Sequence, residues 1–587
     1  MAKSKKSAQT SIENIRHSLA HLLAAAVLKK FPNAKLGIGP VIENGFYYDF
    51  QLPRALTTDD LKSLENIMRE FIKQNLPFTK EKITAQKAKQ IFKNQPFKLE
   101  LINELQKSKQ SITIYHTGNI FTDLCRGGHI KNTNEIHPNS FQLEKIAGAY
   151  WKGNEKNPQL QRIYGIAFYN KQELNQYLKQ VEEAKKRDHR KLGKDLKLFT
   201  IVDEVGGGLP MFYPKGAILR RIIENFIIDL QEKNGYLPIW IPHITKSKLY
   251  KISGHLDKYD AMYPPMHLPE EEDYYLKPMN CPHFMMLYKT ENHSYKDLPL
   301  RYTATTTVYR YEKSGELSGL TRVRALTQDD CHVFVTPEQI EQEINLMLTM
   351  IEHTYKVFGF NNFWVRISTH DPKNKSKYIG DPKIWTKSEN ILKKLITKKR
   401  WENKIGIGEA AFYGPKLDFM VKDALNREWQ LSTIQLDMNL PKRFNITYID
   451  KNNKEKQAII IHRAILGSTE RFMAILLEHY AGQLPTWLSP IQIRIIPVAD
   501  RYLPYAKEIK NKLEQNNLRV DLAQQKETVN KNIRNAELEK IPYVIVIGEQ
   551  EIKNNIISVR KKIDNSIHQY NLQDFIKIIL TEIENKK

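Results

Sequence analysis

The sequence predicts an α+β protein of several domains, and three observations support this prediction. The chain has 587 residues, and a chain of this length divides into several domains because a single hydrophobic core stops growing well before that size. Segments with the 3.6-residue period of helices are mixed with segments that alternate in period two, as strands do. From about Pro490 onward, short buried strands are separated by helical stretches, which is typical of a compact α/β domain.

We divide the chain into five segments by changes in pattern and charge. The charged stretch Glu173 to Leu196 is polar on all sides, which predicts a helix that bridges two domains. The predicted segments are a basic tail at 1–10, an α+β domain at 11–170, a linker helix at 171–198, a large mixed domain at 199–488 and an α/β domain at 489–587.

The charge of the chain favours a polyanionic partner. The sequence has 90 Lys and Arg against 66 Asp and Glu, which leaves a formal charge of +24. Such an excess favours nucleic acid. A solvated basic surface explains the charge equally well. A hydrophobic fraction of 41% argues against general disorder.

Cysteine usage and targeting signals predict a soluble, cytoplasmic protein with no membrane partner. Three cysteines cannot build a disulfide framework, which suits a reducing compartment. No run approaches the roughly 20 apolar residues of a membrane span. The sequence contains neither the GxxxxGK[ST] phosphate loop nor a strand-GxGxxG-helix unit, so ATP, if bound, must be held in another way.

Two neighbouring segments, RYTATTTVYRYE (301–312) and LTRVRALTQDDCHVFV (320–335), carry charged residues at strand spacing. Residues two apart on a strand share a face, so Arg310 and Glu312 lie together. The second segment places on one face Gln328, Asp330 and His332, with Cys331 on the other. On one face, a guanidinium could bind a phosphate and a carboxylate could accept a hydrogen bond from an exocyclic amine. A charged face within a sheet is costly unless it binds something, although an internal salt-bridge network is an alternative.

Three sequence segments together resemble those of a known protein family. They are the helix KGAILRRIIENFIIDLQEKNGY with the strand LPIWIP ending at Pro242, the segment VYRYEKSGELSGLTRVR, and HRAILGSTERF at 462–472. They resemble motifs 1, 2 and 3 of class II aminoacyl-tRNA synthetases. Over residues 11–587 the sequence resembles the threonyl-tRNA synthetase family in particular. The resemblance implies an antiparallel-sheet catalytic core at 199–488, an editing domain at 11–170 and an anticodon-binding domain at 489–587.

The resemblance also implies the reaction and its partners. The expected activity is ATP-dependent attachment of L-threonine to tRNA(Thr) by way of threonyl-adenylate, with Mg²⁺ accompanying ATP, in a homodimer formed through motif 1. It implies that Arg310 contacts the α-phosphate and the substrate carboxylate, and Glu312 the adenine amine. It also implies a second basic contact near the reacting phosphate from Arg322 and a contact at the γ-phosphate side of ATP from Arg471, with Gln430 also at the ATP site. Tyr311 and Lys313 differ from the residues that are commonest at these positions of motif 2. Because Tyr311 is expected to point away from ATP, the difference should have little effect.

A zinc site is implied by the resemblance and not by spacing. Cys281, His332 and His462 match the zinc ligands of the family, whereas the residues alone indicate only a buried cysteine and two ordinary histidines. One zinc ion per subunit is expected, with an open coordination position for substrate. Zinc that meets both the amine and the hydroxyl would explain how threonine is distinguished from valine, which an apolar pocket separates only about 100-fold.

The threonine pocket follows from the same resemblance. Asp330 is expected to bind the substrate amine, assisted by Tyr413 and Gln435. Gln328 and Lys416 are expected to line the pocket. Gln430 and Gln435 differ in strand parity, so both can face the site only if a β-bulge lies between them.

Serine keeps the hydroxyl of threonine and lacks only a methyl group, a difference of about 1–3 kcal/mol, so a second site is needed to remove mischarged serine. The HxxxH pair His17 and His21 and the CxxxH pair Cys125 and His129 resemble the editing site of the family. Asp123 and Lys98 match its other residues. Four such ligands also suit tetrahedral zinc, but the family resemblance favours a metal-free site that holds a water against the seryl ester.

Two rival functions and one difference in architecture accompany this interpretation. A synthetase for proline or serine would share motifs 2 and 3 but not the Cys281, His332 and His462 set. A non-catalytic RNA-binding relative would have little need for intact Arg310 and Arg471. Only about ten residues precede the first helix, so we expect a form that lacks the N-terminal ubiquitin-like domain of many bacterial members.

Overall fold

The structure is a computed structural model that describes residues 10–523, 526–564 and 566–587, apart from the side chain of Lys375. The predicted basic tail lies outside the described residues except for Thr10. The described residues up to Glu182 form one compact unit, and Glu183–Lys587 form a second. None of the helices in these ranges is long and apolar enough to cross a lipid bilayer.

The first unit combines five helices with two antiparallel sheets. The helices are α1 Ile12–Lys30, α2 Thr58–Lys73, α3 Ala85–Ile91, α4 Pro96–Lys107 and α5 Lys171–Arg187, the last of which reaches the unit boundary. The strands are β1 Lys35–Leu36, β2 Val41–Ile42, β3 Gly45–Gln51, β4 Phe78–Ile83, β5 Ile112–Thr117, β6 Phe121–Leu124, β7 Phe141–Tyr150 and β8 Gln159–Ala167. One sheet has the order β1-β3-β8-β7 with β2 paired to β3, and the other has the order β4-β5-β6.

Helix α1 is the centre of this unit. Ser11 caps its first turn, and nearly every residue from Ile15 to Val27 is buried. Helical spacing alone places Ile15, Leu19 and Leu22 on one apolar stripe, with His17 and His21 on the opposite side. The structure differs because small alanine side chains let α2, β3 and β6 pack around the helix. His21 is therefore buried in the interior.

The predicted linker helix is two helices. Helix α5 ends at Arg187, and α6 runs from His189 to Asp195. Asp188 breaks the helical path because its backbone is non-helical, with φ −51° and ψ 121°, while its side chain accepts a hydrogen bond from the amide of Arg190. The break turns the residue after the cap, His189, into the protein interior.

The second unit begins at Glu183, within α5, continues with α6 and contains a large mixed region. Its further helices are α7 Pro214–Lys233, α8 Ser247–Ser253, α9 His255–Lys258, α10 Cys281–Tyr288, α11 Ile340–Val357, α12 Pro382–Lys399, α13 Leu440–Phe444 and α14 Thr469–His479. Its strands are β9 Phe199–Thr200, β10 Met211–Phe212, β11 Leu237–Pro238, β12 Ile244–Lys246, β13 Tyr274–Leu276, β14 Leu300–Tyr309, β15 Ala325–Val335, β16 Phe363–Thr369, β17 Asn403–Ile407, β18 Lys416–Lys422, β19 Glu428–Asp437, β20 Thr447–Ile449, β21 Glu455–Gln457 and β22 Ile459–Ala464.

An eight-stranded sheet organises this region in the order β11-β14-β15-β22-β19-β18-β16-β17. Its inner pairs are antiparallel, and only the outermost pair at each edge is parallel. Alternate side chains such as Val333, Ile461 and Leu436 join one apolar core with α7, α11 and α14. Because successive residues of a strand point to opposite faces, the other face of the same strands is free to carry polar groups.

The C-terminal region is an α/β layer structure. Its helices are α15 Leu503–Glu514, α16 Val529–Leu538, α17 Glu549–Asn554 and α18 Leu572–Glu584, and its strands are β23 Ile493–Pro497, β24 Val520–Leu522, β25 Tyr543–Ile547, β26 Ile557–Lys561 and β27 Ile567–Tyr570. The sheet order is β24-β23-β25-β26-β27. Two separate apolar clusters, one with α15 and α18 and the other with α16, cover its two faces. The predicted fold class is confirmed, whereas the five-segment division stays a prediction.

Candidate active site

Four residues that the sequence analysis selected form a single row across four adjacent strands. His332 on β15 pairs directly with His462 on β22, His462 pairs with Gln435 on β19, and Gln435 pairs with Lys416 on β18. Directly paired residues point to the same face of a sheet. The row therefore lies on the face opposite α7, α11 and α14, and strand register brings together residues that are far apart in sequence.

A cysteine and two histidines meet at one end of this row. Cys281, the first residue of α10, approaches His332 and His462 so that one ligand atom from each lies within 4.8 Å of the other two, and all three residues are buried. Within the part of the chain that the structure describes, neither ring nitrogen of His332 has a hydrogen-bond partner, and Nδ1 of His462 also lacks one. Buried nitrogen atoms without partners cost about 1–3 kcal/mol each. A thiolate and two imidazoles are a donor set that suits zinc, so the residues fit the metal that the resemblance implies.

Burial and neighbouring charges shift the protonation of all three residues. Burial raises the pKa of the Cys281 thiol and holds the pKa of His332 well below its usual value. Burial opposes the charging of His462, but Cys281 and Asp437 together raise the pKa of His462 to about 10. Asp437 Oδ2 lies 3.1 Å from Nε2 of His462 and accepts a hydrogen bond from it. Once the ring loses its second proton, this contact keeps the remaining proton on Nε2 and leaves the lone pair of Nδ1 for a metal ion, the arrangement usual for histidines that bind metal.

Acidic and amide groups lie beside the cluster. Asp330, two residues before His332 on the same face, accepts a hydrogen bond of 2.9 Å from Asn280 Nδ2. Burial raises the pKa of Asp330, while Asn280 and neighbouring cations counteract this effect. Tyr413 donates a hydrogen bond to Oε1 of Gln435. These groups could together recognise a substrate amine next to the metal site.

The β-bulge required by strand parity is present. The pairing of β18 and β19 shifts between Asp418 opposite Thr433 and Met420 opposite Gln430, so β19 contains one extra residue. The extra residue returns Gln430 to the face that carries Gln435. Gln430 then donates a hydrogen bond of 2.9 Å to Asp418 Oδ1.

A polar cavity of about 250 Å³ opens next to the row. Its lining includes the predicted residues Arg310, Glu312, Arg322, Gln328, Lys416, Gln430, Gln435 and Arg471. Burial and the positive charges of Arg310 and Arg322 lower the pKa of Arg471. Three guanidinium groups that repel one another at one cavity provide a site for a polyanion.

The motif 2 segment differs from the prediction in one respect. Strand β14 ends at Tyr309, so Arg310 and Glu312 lie in the following loop and not on the strand itself. Glu312 Oε2 accepts hydrogen bonds from Nε and Nη2 of Arg322, at 3.0 and 2.8 Å. Tyr311 lies outside the cavity lining and packs against Tyr263, as the sequence predicted for its direction.

The sequence analysis missed three residues that support this site. Asp418 is fully buried and accepts hydrogen bonds from Lys416, Ser368 and Gln430. Asn280 holds Asp330, and Lys277 is buried with its amine donating to Thr306. Asp418 could have been found in the sequence because it lies two residues after Lys416 on a strand and so shares its face. Asn280 could have been found because it directly precedes Cys281. No such signal was available for Lys277.

A second cluster of ligand-type residues lies in the first unit. Ligand atoms of His17, His21, Cys125 and His129 lie within 4.8 Å of one another. The sulfur of Cys125 is 3.2 Å from Nε2 of His129 and 3.6 Å from Nε2 of His17. Nδ1 of the buried His21 has no partner. The residues fit either a metal ion or a water molecule, so this geometry leaves both alternatives open.

The predicted residues Asp123 and Lys98 border this cluster. The amine of Lys98 lies 2.5 Å from Asp123 Oδ1, and Nε2 of His21 lies 3.8 Å from Asp123 Oδ2. Tyr48, which the sequence analysis missed, donates to Asp123 and accepts from Lys98. All of these side chains are buried, so a compact polar network supports the histidines.

Burial sets the protonation of this second cluster. It raises the pKa of the Cys125 thiol to about 11, and together with neighbouring histidines it lowers the pKa of His129. At neutral pH the thiol is therefore protonated and the imidazole is neutral. An adjoining cavity of about 440 Å³ is lined by His17, Gly127 and Gly128, among others. The cluster is thus accessible to a small ester group from one side.

Three family models match the chain. Residues 266–480 match the "tRNA synthetase class II core domain (G, H, P, S and T)". Residues 492–582 match the "Anticodon binding domain". Residues 112–164 match the "Threonyl and Alanyl tRNA synthetase second additional domain".

Similar proteins cover nearly the whole chain. A threonine–tRNA ligase of Sulfurihydrogenibium sp. is 46% identical over 99% of this chain and 90% of its own length. A threonine–tRNA ligase of Borreliella afzelii is 46% identical over 97% of each chain. A solved structure of the RNA-binding domain of threonyl-tRNA synthetase from Cryptosporidium parvum is 36% identical with a TM-score of 0.64, and it covers 67% of this chain and 98% of its own. The resemblance in the sequence is therefore confirmed, and the chain belongs to the threonine–tRNA ligase family of class II aminoacyl-tRNA synthetases.

Proposed function

We propose that this protein attaches L-threonine to tRNA(Thr) through threonyl-adenylate and removes mischarged serine at a second site. The observation that carries the proposal is the row from His332 to Lys416, which joins a zinc-type donor set to an arginine-lined cavity on one face of the sheet. An amino acid held at one end of the row would direct its carboxylate toward a nucleotide in the cavity. Catalysis would then rest on positioning and charge stabilisation, with no protein nucleophile.

Amino acid recognition is assigned to five residues beside the metal cluster. Asp330 accepts hydrogen bonds from the substrate amine, and Tyr413 and Gln435 fix its orientation. Gln328 and Lys416 close the pocket toward the cavity. Asp330 suits this role because its carboxylate is buried and has more lone pairs than the one that accepts from Asn280.

Cys281, His332 and His462 would hold one zinc ion per subunit. When bound, zinc supplies a Lewis acid with an open coordination position for an amine and a hydroxyl group. Asp437 orients His462 for this purpose through the hydrogen bond to Nε2. The buried nitrogen atoms without partners support this assignment.

ATP is assigned to the cavity. Arg310 contacts the α-phosphate, Arg322 and Arg471 neutralise the remaining phosphate charge, and Glu312 accepts a hydrogen bond from the adenine amine, with Gln430 at the base. Arg322 now pairs with Glu312, and nucleotide binding would exchange this half-exposed pair for contacts with ATP. Mg²⁺ accompanies the nucleotide and adds charge neutralisation.

The remaining partners fit the surface of the chain. The region at 489–587 is proposed to bind the anticodon, and the positive charge of the chain favours tRNA. Near motif 1, Leu237 and Trp240 are 51% and 81% exposed. Apolar side chains exposed at a sheet edge support a homodimer through this surface. The buried free thiols suit a cytoplasmic location.

Editing is assigned to the cluster in the first unit. His17, His21, Cys125 and His129 would hold a water molecule against the seryl ester, with Asp123 and Lys98 supporting them. The neutral thiol of Cys125 suits hydrogen bonding and not nucleophilic attack, because burial raises its pKa to about 11. We favour the metal-free form of this site.

The first prediction concerns the substrate. ATP–pyrophosphate exchange should depend on threonine, with serine weaker by about 10- to 200-fold because it lacks one methyl group, and valine weaker by about 10⁴-fold because it lacks the hydroxyl. Arg471→Ala should lower the exchange rate by about 10²- to 10³-fold through loss of charge stabilisation. Arg400→Ala, at an exposed helix end, serves as the control. Exchange that depends on proline and not on threonine would refute the proposal.

The second prediction concerns the metal. The purified protein should contain about one equivalent of zinc, and Cys281→Ala should lose it, because one of three ligands is removed. Cys331→Ala is a matched control, since Cys331 is an equally buried cysteine next to His332 but on the opposite strand face. Zinc affinity in chelator competition should rise with pH, because the thiol of Cys281, whose pKa is raised by burial, must lose its proton to bind. Equal zinc in the two variants would contradict the site.

The third prediction concerns editing. Cys125→Ala and His129→Ala should let seryl-tRNA(Thr) accumulate in a charging assay while threonine activation stays unchanged, because the altered residues belong to the other unit. His137→Ala, an exposed histidine of the same unit, should edit normally. Normal removal of serine by both cluster variants would count against this site. Two equivalents of zinc in the unaltered protein, falling to one in Cys125→Ala, would overturn the metal-free form.

A further inference from the structure

A third group of ligand-type residues lies outside both sites. Asp188, His189 and Glu478 bring one ligand atom each within 4.8 Å of one another. Each is already engaged, however. Arg190 donates hydrogen bonds to both carboxylate oxygens of Asp188, and both ring nitrogens of His189 have hydrogen-bond partners. The arrangement therefore does not suit a metal ion and requires another explanation.

The contacts of His189 define its protonation state. Nε2 lies 3.0 Å from the backbone nitrogen of Leu320, which can only donate, so Nε2 must accept. Nδ1 lies 2.7 Å from Oε1 of Glu478, and the ring must donate to this carboxylate. His189 is therefore a neutral imidazole that carries its proton on Nδ1. Its burial and its two contacts fix the ring orientation.

The two partners of His189 belong to different parts of the proposed ATP site. Leu320 lies in the loop between β14 and β15 and precedes Thr321, whose carbonyl accepts a hydrogen bond of 3.0 Å from Nε of Arg471. Glu478 lies on α14, the helix that also carries Arg471. The loop is thus tied to α14 at two points, directly through Arg471 and indirectly through His189.

The approach of the loop to His189 is very close. Gly319 has a φ of +48°, and a Cβ atom added there would lie 2.2 Å from Nε2 of His189. Glycine at this position permits both the backbone conformation and the contact. Glu478 is in turn held by Arg427, which donates to its second oxygen. The ring therefore bridges the loop and a carboxylate that Arg427 also holds.

From this geometry we propose that His189 is a positioning residue for ATP binding. By holding Leu320, it fixes the backbone that places Arg322 and Thr321 at the nucleotide cavity, without itself contacting substrate. The proposal rests on the proposed ATP site. It assigns to α6, which the sequence indicated only as part of a linker, a direct part in ordering motif 2.

Two substitutions separate the two contacts of the ring. In His189→Asn the amide nitrogen can replace Nδ1 and donate to Glu478, but the side chain is too short to reach Leu320. In His189→Gln the longer side chain can place its oxygen near Nε2 and accept from Leu320. The proposal predicts that His189→Asn raises the KM for ATP by about 5- to 10-fold, the effect of one lost buried hydrogen bond, and that His189→Gln restores most of this loss. The KM for threonine and the zinc content should not change.

A matched control and a second variant make the test independent of folding. His370 contacts Glu389 in the way that His189 contacts Glu478, through its backbone nitrogen at 3.0 Å and Nδ1 at 2.7 Å. The ring of His370, however, packs on Tyr378 and Trp385. His370→Asn should leave the KM for ATP unchanged. Gly319→Ala should push the loop from His189 and raise the KM for ATP while the buried histidine stays intact.

The outcomes can be distinguished from failure of the proposed function. If the unaltered protein shows no threonine-dependent exchange, the proposed function itself fails. If that exchange is normal, an unchanged KM for ATP in both His189→Asn and Gly319→Ala would overturn the role of His189. Equal increases in the KM values for ATP and threonine would also overturn it, since they would indicate a general structural defect.

Discussion

The structure depends on the burial of a thiol and two imidazoles at the centre of an eight-stranded sheet. Among the described residues, three ring nitrogens there have no hydrogen-bond partner, and such atoms are costly in a dry interior. A metal ion would bind one nitrogen of each ring together with the thiolate. A metal ion at this position also explains the two neighbouring carboxylates, because Asp437 orients His462 and Asp330 lies beside His332.

Strand alternation lets one sheet serve both stability and chemistry. Cys331 and Val333 join the apolar core under the helices, whereas Asp330 and His332 between and beside them face the polar side. A bulge in β19 extends the polar face to the far end of the row, because it turns Gln430 toward the cavity. The polar face therefore runs without interruption from the metal cluster to the three arginines.

Much of this arrangement was accessible from the sequence, but in unequal degrees. Period-two spacing placed Gln328, Asp330 and His332 on one face, and the structure agrees. The meeting of Cys281 with His462 was known only through family resemblance, because spacing within one strand carries no information about register between distant strands. Strand parity showed that Gln430 required a bulge, but not that the bulge existed.

Other features could not be predicted because they depend on tertiary packing. Helix α1 has an apolar stripe in sequence, yet alanine-rich packing buries almost all of it, including His21. The break at Asp188 depends on a local cap that a uniformly charged segment concealed. The role of Asp418 also became visible only when three strands brought its donors together.

X-ray absorption spectroscopy at the zinc edge tests the central claim most directly. For the purified protein, the proposed site predicts one sulfur and two imidazole nitrogens at about 2.3 Å and 2.0–2.1 Å, with one further light atom. Addition of threonine should change the light-atom shell, whereas valine should not produce the same change. A spectrum with no sulfur ligand, or one that threonine leaves unaltered, would contradict the account.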